Sequence, residues 1–103
     1  MKFIITESKF DSIVFKYLDN QDFIVTGNDT SLFFVNSEGD EYAQIRYDKD
    51  NGWCDISYDL IKEISTFFSL HFSDSTQFIR RWVESTLQMK VKNTFAAFEL
   101  FIE

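Results

Sequence analysis

The stretch Glu41–Tyr58, "EYAQIRYDKDNGWCDISY", contains two runs of β-prone residues on either side of a short acidic, turn-forming segment. Asn51-Gly52 is the strongest short signal for a β-hairpin, because both residues tolerate the positive φ angles that a tight turn needs. The stretch therefore predicts two antiparallel strands, Glu41–Asp48 and Trp53–Tyr58.

Two loop lengths fit this hairpin. A two-residue turn places Tyr47 opposite Ile56 and Ile45 opposite Tyr58, whereas a four-residue loop changes the register and keeps the same faces. One face is then apolar (Ala43, Ile45, Tyr47, Cys54, Ile56, Tyr58) and the other polar (Gln44, Arg46, Asp48, Asp55, Ser57). This division is typical of a sheet that helices cover on one side.

The aspartates of the turn also raise the question of a calcium site. A calcium-binding EF-hand loop needs oxygen ligands at its first, third and fifth positions and glycine at the sixth. Counted from Asp48, Gly52 is fifth and Trp53 is sixth. The spacing favours a turn over a metal site.

Apolar residues spaced three and four apart predict three helices. The first covers Glu7–Asp19, with Thr6 as its N-cap, after a short strand at Lys2–Ile5. The second covers Asp59–Leu70 and is capped by Asp59. His71 is expected at its end.

The third helix begins in "SDSTQ" and ends near Lys90. Its start is marked by Asp74 and Gln77, which have the spacing of a capping box. Its apolar face contains Trp82, which is therefore expected to pack inward. Because Trp82 points inward, the neighbouring Arg80-Arg81 pair is weak evidence for nucleic-acid binding.

Further extended segments are expected at Phe23–Thr26 and Leu32–Asn36. The tail "TFAAFELFIE", residues 94–103, fits a strand or a helix, and its alternation favours a strand. The sequence therefore predicts one α+β domain over residues 1–103. Its antiparallel meander of three or four strands is covered on one face by three helices, in the order α-β-β-β-α-α with a C-terminal strand as an option.

Composition narrows the functional class. A chain of 103 residues suits one domain, and its 45% apolar and 18% aromatic content excludes disorder. Cys54 is the single cysteine, so an intrachain disulfide is excluded. The chain has no apolar run near the ~20 residues of a membrane span and no signal-peptide core, so a cytoplasmic protein is expected. A net charge of −7 does not favour binding to nucleic acid or to anionic lipid.

Two short motifs resemble small uncharacterised proteins of large tailed bacteriophages. They are "IITESKFDSIV", residues 4–14, and "RRWVESTLQMKVKNT", residues 80–94. Together they cover about a quarter of the chain. The resemblance implies a phage or phage-derived cytoplasmic protein and brings with it no activity and no catalytic residues.

Charge is unevenly distributed along the chain. Residues 19–59 contain ten acids against Arg46 and Lys49, a net charge of −8, whereas the remaining residues sum to +1. The simpler interpretation is that the acids occupy turns and an exposed surface, where they keep the protein soluble. The more specific interpretation is a surface that attracts a basic protein partner. One form of it is mimicry of nucleic-acid phosphates. The candidate residues of this partner surface are Asp40, Glu41, Asp48, Asp50 and Asp55.

Aromatic residues suggest an alternative function, self-association. Phe34, Trp53, Phe72 and Phe101 have no place in the predicted core, so they are candidates for an exposed patch that forms a homo-oligomer. The competing interpretation is a sheet covered on both faces, with Phe34 and Trp53 under the first helix or the tail.

Catalytic signatures are weak. Cys54 and His71 are the one cysteine and the one histidine, but neighbouring acids should suppress the thiolate of Cys54, which is expected to be a core residue. The sequence lacks a phosphate-binding loop, a nucleophile elbow and a Cys/His metal motif. We therefore expect a non-enzymatic protein without a cofactor, and an enzyme with a carboxylate-based or metal-dependent site is the less favoured alternative.

Overall fold

Three helices and five strands form in the computed structural model, which describes residues 7–37 and 39–102 and the side chains of the first helix from Phe10 onward. The elements are α1 (Glu7–Asp19), β1 (Ile24–Gly27), β2 (Ser31–Val35), β3 (Ile45–Asp48), β4 (Trp53–Ser57), α2 (Tyr58–Phe68), α3 (Phe72–Leu87) and β5 (Asn93–Ala97). The strand predicted at Lys2–Ile5 and the cap predicted at Thr6 lie outside the described residues.

The sheet has the order β1-β2-β3-β4-β5. Strands β1 to β4 form an antiparallel meander, and β5 pairs with β4 in parallel. A parallel neighbour needs a long crossover, which α2 and α3 supply. The predicted α+β class is confirmed, and the tail contributes the strand that the alternation favoured.

The hairpin register follows the longer of the two loops. Tyr47 lies opposite Cys54 and Ile45 opposite Ile56, so residues 49–52 form a four-residue loop. The pairing of Tyr47 with Ile56, which a two-residue turn would give, does not form. The shift of two residues preserves the apolar face, which is why the sequence could not distinguish the loops.

The main core lies between the helices and the face predicted to be apolar, except that Ala43 of that face belongs to a second, smaller core. Buried residues from every described helix pack on Phe34, Ile45 and Ile56. Trp82 of α3 is buried against Phe34, at 5.4 Å between ring centroids, and its indole Nε1 donates a hydrogen bond to Asp19 at 2.9 Å. The inward position predicted for Trp82 is confirmed, and its ring is not available for stacking on a base.

A second, smaller core covers the opposite face of the sheet. Phe33 and Val35 of β2 are buried against Leu100 of the tail. The tail is fixed to the chain before β3 by two main-chain hydrogen bonds, from Ala43 N to Leu100 O (2.7 Å) and from Ile102 N to Glu41 O (3.1 Å). Alternation in the hairpin predicted one apolar face, and the structure buries residues on both, as in the competing interpretation of a sheet covered on both faces.

The helix ends differ from the capping predictions. Ser57 is the N-cap of α2, so Asp59 lies in the first turn and is not the cap. Helix α3 begins at Phe72, before the predicted Asp74–Gln77 capping box, and ends at Leu87. His71 is the N-cap of α3, so its predicted place at the end of α2 is wrong.

Candidate functional site

The β3–β4 turn contains two of the five candidate acids. Asp48 Oδ1 accepts hydrogen bonds from the main-chain N–H groups of Asp50 (2.9 Å) and Asn51 (3.2 Å). The N–H of Gly52 donates to the carbonyl of Asp48 at 2.8 Å, which closes the loop. Asp48 therefore stabilises the turn, while the side chain of Asp50 is exposed.

Asp55 occupies the middle of β4 on the face that carries the second core. It lies directly opposite Arg46 of β3 and is half-buried. Burial raises the pKa of the Asp55 carboxyl, the charge of Asp48 raises it further, and the Arg46 guanidinium opposes both. Asp55 is thus a partly desolvated group with Arg46 as its cross-strand neighbour.

Asp40 and Glu41 lie at the other end of β3 and are exposed. Asp40 Oδ1 accepts a hydrogen bond from the Ser37 hydroxyl at 2.9 Å. Strand β3 separates this pair from the β3–β4 turn by about 13 Å, the length of four extended residues. The structure therefore does not bring the five acids into one cluster: Asp40 with Glu41 lies at one end of β3, Asp48 with Asp50 at the other, and Asp55 is half-buried within β4.

The acids of residues 19–59 have few positive neighbours. The ion pairs of the described residues join Arg80 to Glu84 (3.9 Å) and Arg81 to Asp11 (2.8 Å), so neither involves an acid of this segment. Of the two bases in the segment, Arg46 faces Asp55, and Lys49 Nζ donates to the carbonyl of Asn28 at 2.9 Å. Among the described residues, the acids of this segment therefore form no ion pair, and Arg46 is the one base that faces an acid of the segment across the sheet.

A cleft of about 350 Å³ opens beside Glu41, between the chain before β3 and the tail. Tyr42 and Phe98 provide its exposed aromatic rings. Asp59 and Glu99 line it as well, and no basic side chain does so among the described residues. The combination of aromatic rings and carboxylates suits a cationic group.

Three of the four aromatic residues predicted to be exposed are so: Trp53, Phe72 and Phe101. Trp53 packs edge-on against the exposed Phe95 at 5.4 Å between ring centroids. Phe34 is completely buried, as the competing interpretation of a covered position expected, and Trp82 of α3 packs on it. Phe98, which the sequence analysis did not single out, is 84% exposed.

Cys54 and His71 have the surroundings of structural residues. Cys54 is fully buried, and burial followed by the charge of Asp55 raises the pKa of its thiol to about 12. His71 is exposed at the start of α3. Among the described residues, no group of three or more His, Cys, Asp or Glu side chains is arranged to hold a metal ion.

One feature with no strong signal in the sequence is the edge of β1, which has no second strand beside it among residues 7–37 and 39–102. All four residues of this strand are exposed, including Ile24 and Val25. The available signal was position: Phe23–Thr26 is the first extended segment of the meander, so it has a sequential neighbour on one side only.

Comparison with known proteins returned no matching family model, curated protein or solved structure. The helices of the described residues are also too short or too polar to cross a membrane.

Proposed function

We propose that this protein is a non-enzymatic interaction protein that binds a basic protein partner through the acidic sheet-and-loop surface of residues 19–59. The observation that carries the proposal is the net charge of −8 on this segment, together with the absence of ion pairs to its acids among the described residues. Unpaired surface charge of one sign steers an oppositely charged partner and sets the salt dependence of its binding.

The partner surface includes the five candidate acids, but their roles differ. Glu41 and Asp50 are exposed, and their side chains form no hydrogen bond with another described residue. They are the residues expected to meet the partner directly. Asp48 stabilises the turn and Asp55 faces Arg46. Both also contribute to the negative electrostatic field of the surface.

The resemblance to phage proteins adds to the proposal that the protein comes from a phage, or is of phage descent, and acts in the cytoplasm. A cytoplasmic protein from a phage or of phage descent meets the basic proteins of its bacterial host, including those that bind nucleic acid. Mimicry of nucleic-acid phosphates is one form that such binding can take.

Affinity capture from bacterial lysate tests the proposal, with bound proteins quantified at low and moderate salt. The test variant is Glu41→Lys with Asp50→Lys, and the matched control is Glu63→Lys with Asp74→Lys, which makes the same charge change at exposed helical sites. We expect the test variant to weaken capture of a basic protein about tenfold and the control to have a much smaller effect. Equal capture by all three forms, or capture that salt does not weaken, would contradict the proposal.

A homo-oligomer is the second candidate, and the exposed aromatic contacts favour it. Trp53 packs on Phe95, and Tyr58 stacks on the highly exposed Phe98 at 5.4 Å between ring centroids. Light scattering at high micromolar concentration tests this function. A dimer that Trp53→Ser with Phe98→Ser converts to monomer would support it, and a monomeric wild type would remove it.

A further inference from the structure

Strand β1 is an edge of the sheet in the part of the chain that the structure describes, since β2 is its one neighbour there. Its four residues are all exposed, and Ile24 and Val25 are 37% and 45% accessible. Exposed edge strands are templates for pairing with another extended chain.

The register identifies the main-chain groups that point outward. The N–H of Asn28 donates to the carbonyl of Ser31 at 2.9 Å, which makes this pair hydrogen-bonded. Because hydrogen-bonded and non-hydrogen-bonded pairs alternate in an antiparallel ladder, Val25 and Gly27 direct their N–H and C=O groups away from β2. Among the described residues these outward groups have no hydrogen-bond partner.

A groove of about 360 Å³ runs beside this edge on the face of the second core. Ile24, Val35 and Ile102 provide apolar walls, and Asp40 provides a carboxylate. Alternate side chains of an added strand would lie on this face, so every second side chain of a bound segment meets the groove. An aliphatic stem that ends in a cation fits an apolar wall with a carboxylate beside it.

The charge around β1 indicates the kind of segment that can bind. Asp22, Asp29 and Asp40 surround the strand, and residues 17–45 contain no lysine, arginine or histidine. The Nζ group of Lys49 donates a hydrogen bond to the carbonyl of Asn28, which directly follows β1. This basic group is therefore already engaged.

A second copy is disfavoured as the occupant of this edge. Antiparallel pairing of two β1 strands through Val25 and Gly27 would bring Asp22 of one copy near Asp29 of the other. Like charges across a strand pair are destabilising. An extended segment with basic residues would instead place opposite charges across the strand pair, which is stabilising.

We propose that β1 binds an extended basic segment of a partner protein as an additional strand, through the outward main-chain groups of Val25 and Gly27. This inference rests on the proposed function, which it makes more specific by naming the edge and the conformation of the bound segment. Main-chain hydrogen bonds supply affinity in this mode, and side-chain pockets supply specificity.

The test uses a short capped peptide of alternating lysine and valine as the probe, titrated to millimolar concentration against the ¹⁵N-labelled protein. The control peptide has the same sequence with alternate main-chain nitrogens methylated, which keeps the charge and removes the hydrogen-bond donors. We expect amide shifts centred on Val25 and Gly27 with the first peptide and at least about tenfold weaker binding with the second, as expected for one or two lost hydrogen bonds. Equal binding of the two peptides, shifts centred elsewhere, or no binding would overturn the inference.

Val25→Pro removes one outward N–H without removing a bond to β2, and proline is tolerated at such edge positions. Val25→Ala retains the N–H and is the matched control. We expect binding to weaken about tenfold in the proline variant and to change little in the alanine variant. If the proline variant does not fold, the methylated peptide still tests the role of the main chain.

The two proposals fail separately. Lysate capture that depends on Glu41 and Asp50 but not on the N–H of Val25 would retain the proposed function and overturn strand addition. Peptide binding at β1, with lysate capture unaffected by reversal of Glu41 and Asp50, would retain strand addition and overturn the proposed function.

Discussion

At the scale of single residues, Cys54 has the surroundings of an inert thiol. Its side chain is fully buried, and its pKa of about 12 leaves it protonated at neutral pH. Because the thiolate is the reactive form, the folded protein should react with a disulfide-exchange reagent at least about a hundredfold more slowly than the protein in denaturant. Stopped-flow labelling measures both rates. Rapid labelling of the folded protein would contradict the burial of Cys54.

Asp55 should make stability depend on pH. Burial raises the pKa of its carboxyl above the ordinary 3.8, so folding favours the protonated form. Its contribution is therefore fully present below pH 3.8 and is lost as the pH rises through the raised pKa. Relative to wild type, Asp55→Asn should gain stability as the pH rises through this range, as measured by urea denaturation.

Arg46 provides the control for Asp55, since its charge lowers the pKa that burial raises. Arg46→Met should raise the pKa of Asp55 further and make the loss of stability with rising pH steeper. A difference between wild type and Asp55→Asn that shrinks as the pH rises would mean that the attraction of Arg46 outweighs burial.

At the scale of elements, Gly52 determines how the β3–β4 loop closes. Its φ is +73°, and a Cβ there would lie 3.1 Å from the side chain of Lys92. Gly52→Ala should lower the free energy of unfolding by about 1–2 kcal/mol, because both backbone strain and crowding oppose the new methyl group.

Gly39 is a matched comparison for Gly52. Its φ is +90°, and a Cβ there would have no atom within 4 Å. Gly39→Ala should therefore cost less than Gly52→Ala, since it adds strain without crowding. Urea denaturation of both variants tests the difference, and an equal or larger cost at Gly39 would exclude a contribution from Lys92.

Local patterns predicted the existence and type of the elements better than their ends. The apolar spacing of Glu7–Asp19 gave the first helix with the bounds that the structure has. Asp59 and Asp74 look like caps in the sequence, but both lie within first turns. Strand β4 passes directly into α2 at Ser57, and local side-chain preferences do not encode that junction.

Strand direction and register required information from outside each segment. Alternation in the tail predicts a strand, but a period of two is the same in parallel and antiparallel pairs. The parallel pairing of β5 with β4 follows from the crossover through α2 and α3. The hairpin loop was ambiguous for a related reason, since a shift of two residues leaves every side chain on its original face.

At the scale of the whole molecule, the tail covers part of the second face of the sheet. Leu100 is 6% exposed and covers Phe33 and Val35. Leu100→Ala should lower the free energy of unfolding by about 2–4 kcal/mol, the usual cost of a buried leucine. Phe98→Ala, at a residue 84% exposed, is the control and should cost less than about 1 kcal/mol. Similar costs in urea denaturation would show that the tail is not part of the core.

The candidate surface was predictable in its charge but not in its geometry. Counting acids along the chain locates the net charge of −8 in residues 19–59, which the fold turns into the meander with its loops and the adjoining ends of α1 and α2. It does not show that Asp48 is used by the turn, that Asp55 faces Arg46, or that Glu41 and Asp50 lie at opposite ends of β3. These distinctions depend on register and tertiary contacts.

The most direct test of the central claim is hydrogen–deuterium exchange of the protein with and without the basic protein that it captures best from lysate. If the partner binds the acidic sheet-and-loop surface, amides within residues 19–59 are protected from exchange, at the loops that contain Glu41 and Asp50. Helices α2 and α3 then exchange as in the free protein. Protection confined to α2, α3 or β5 would place the partner on another surface and contradict the claim.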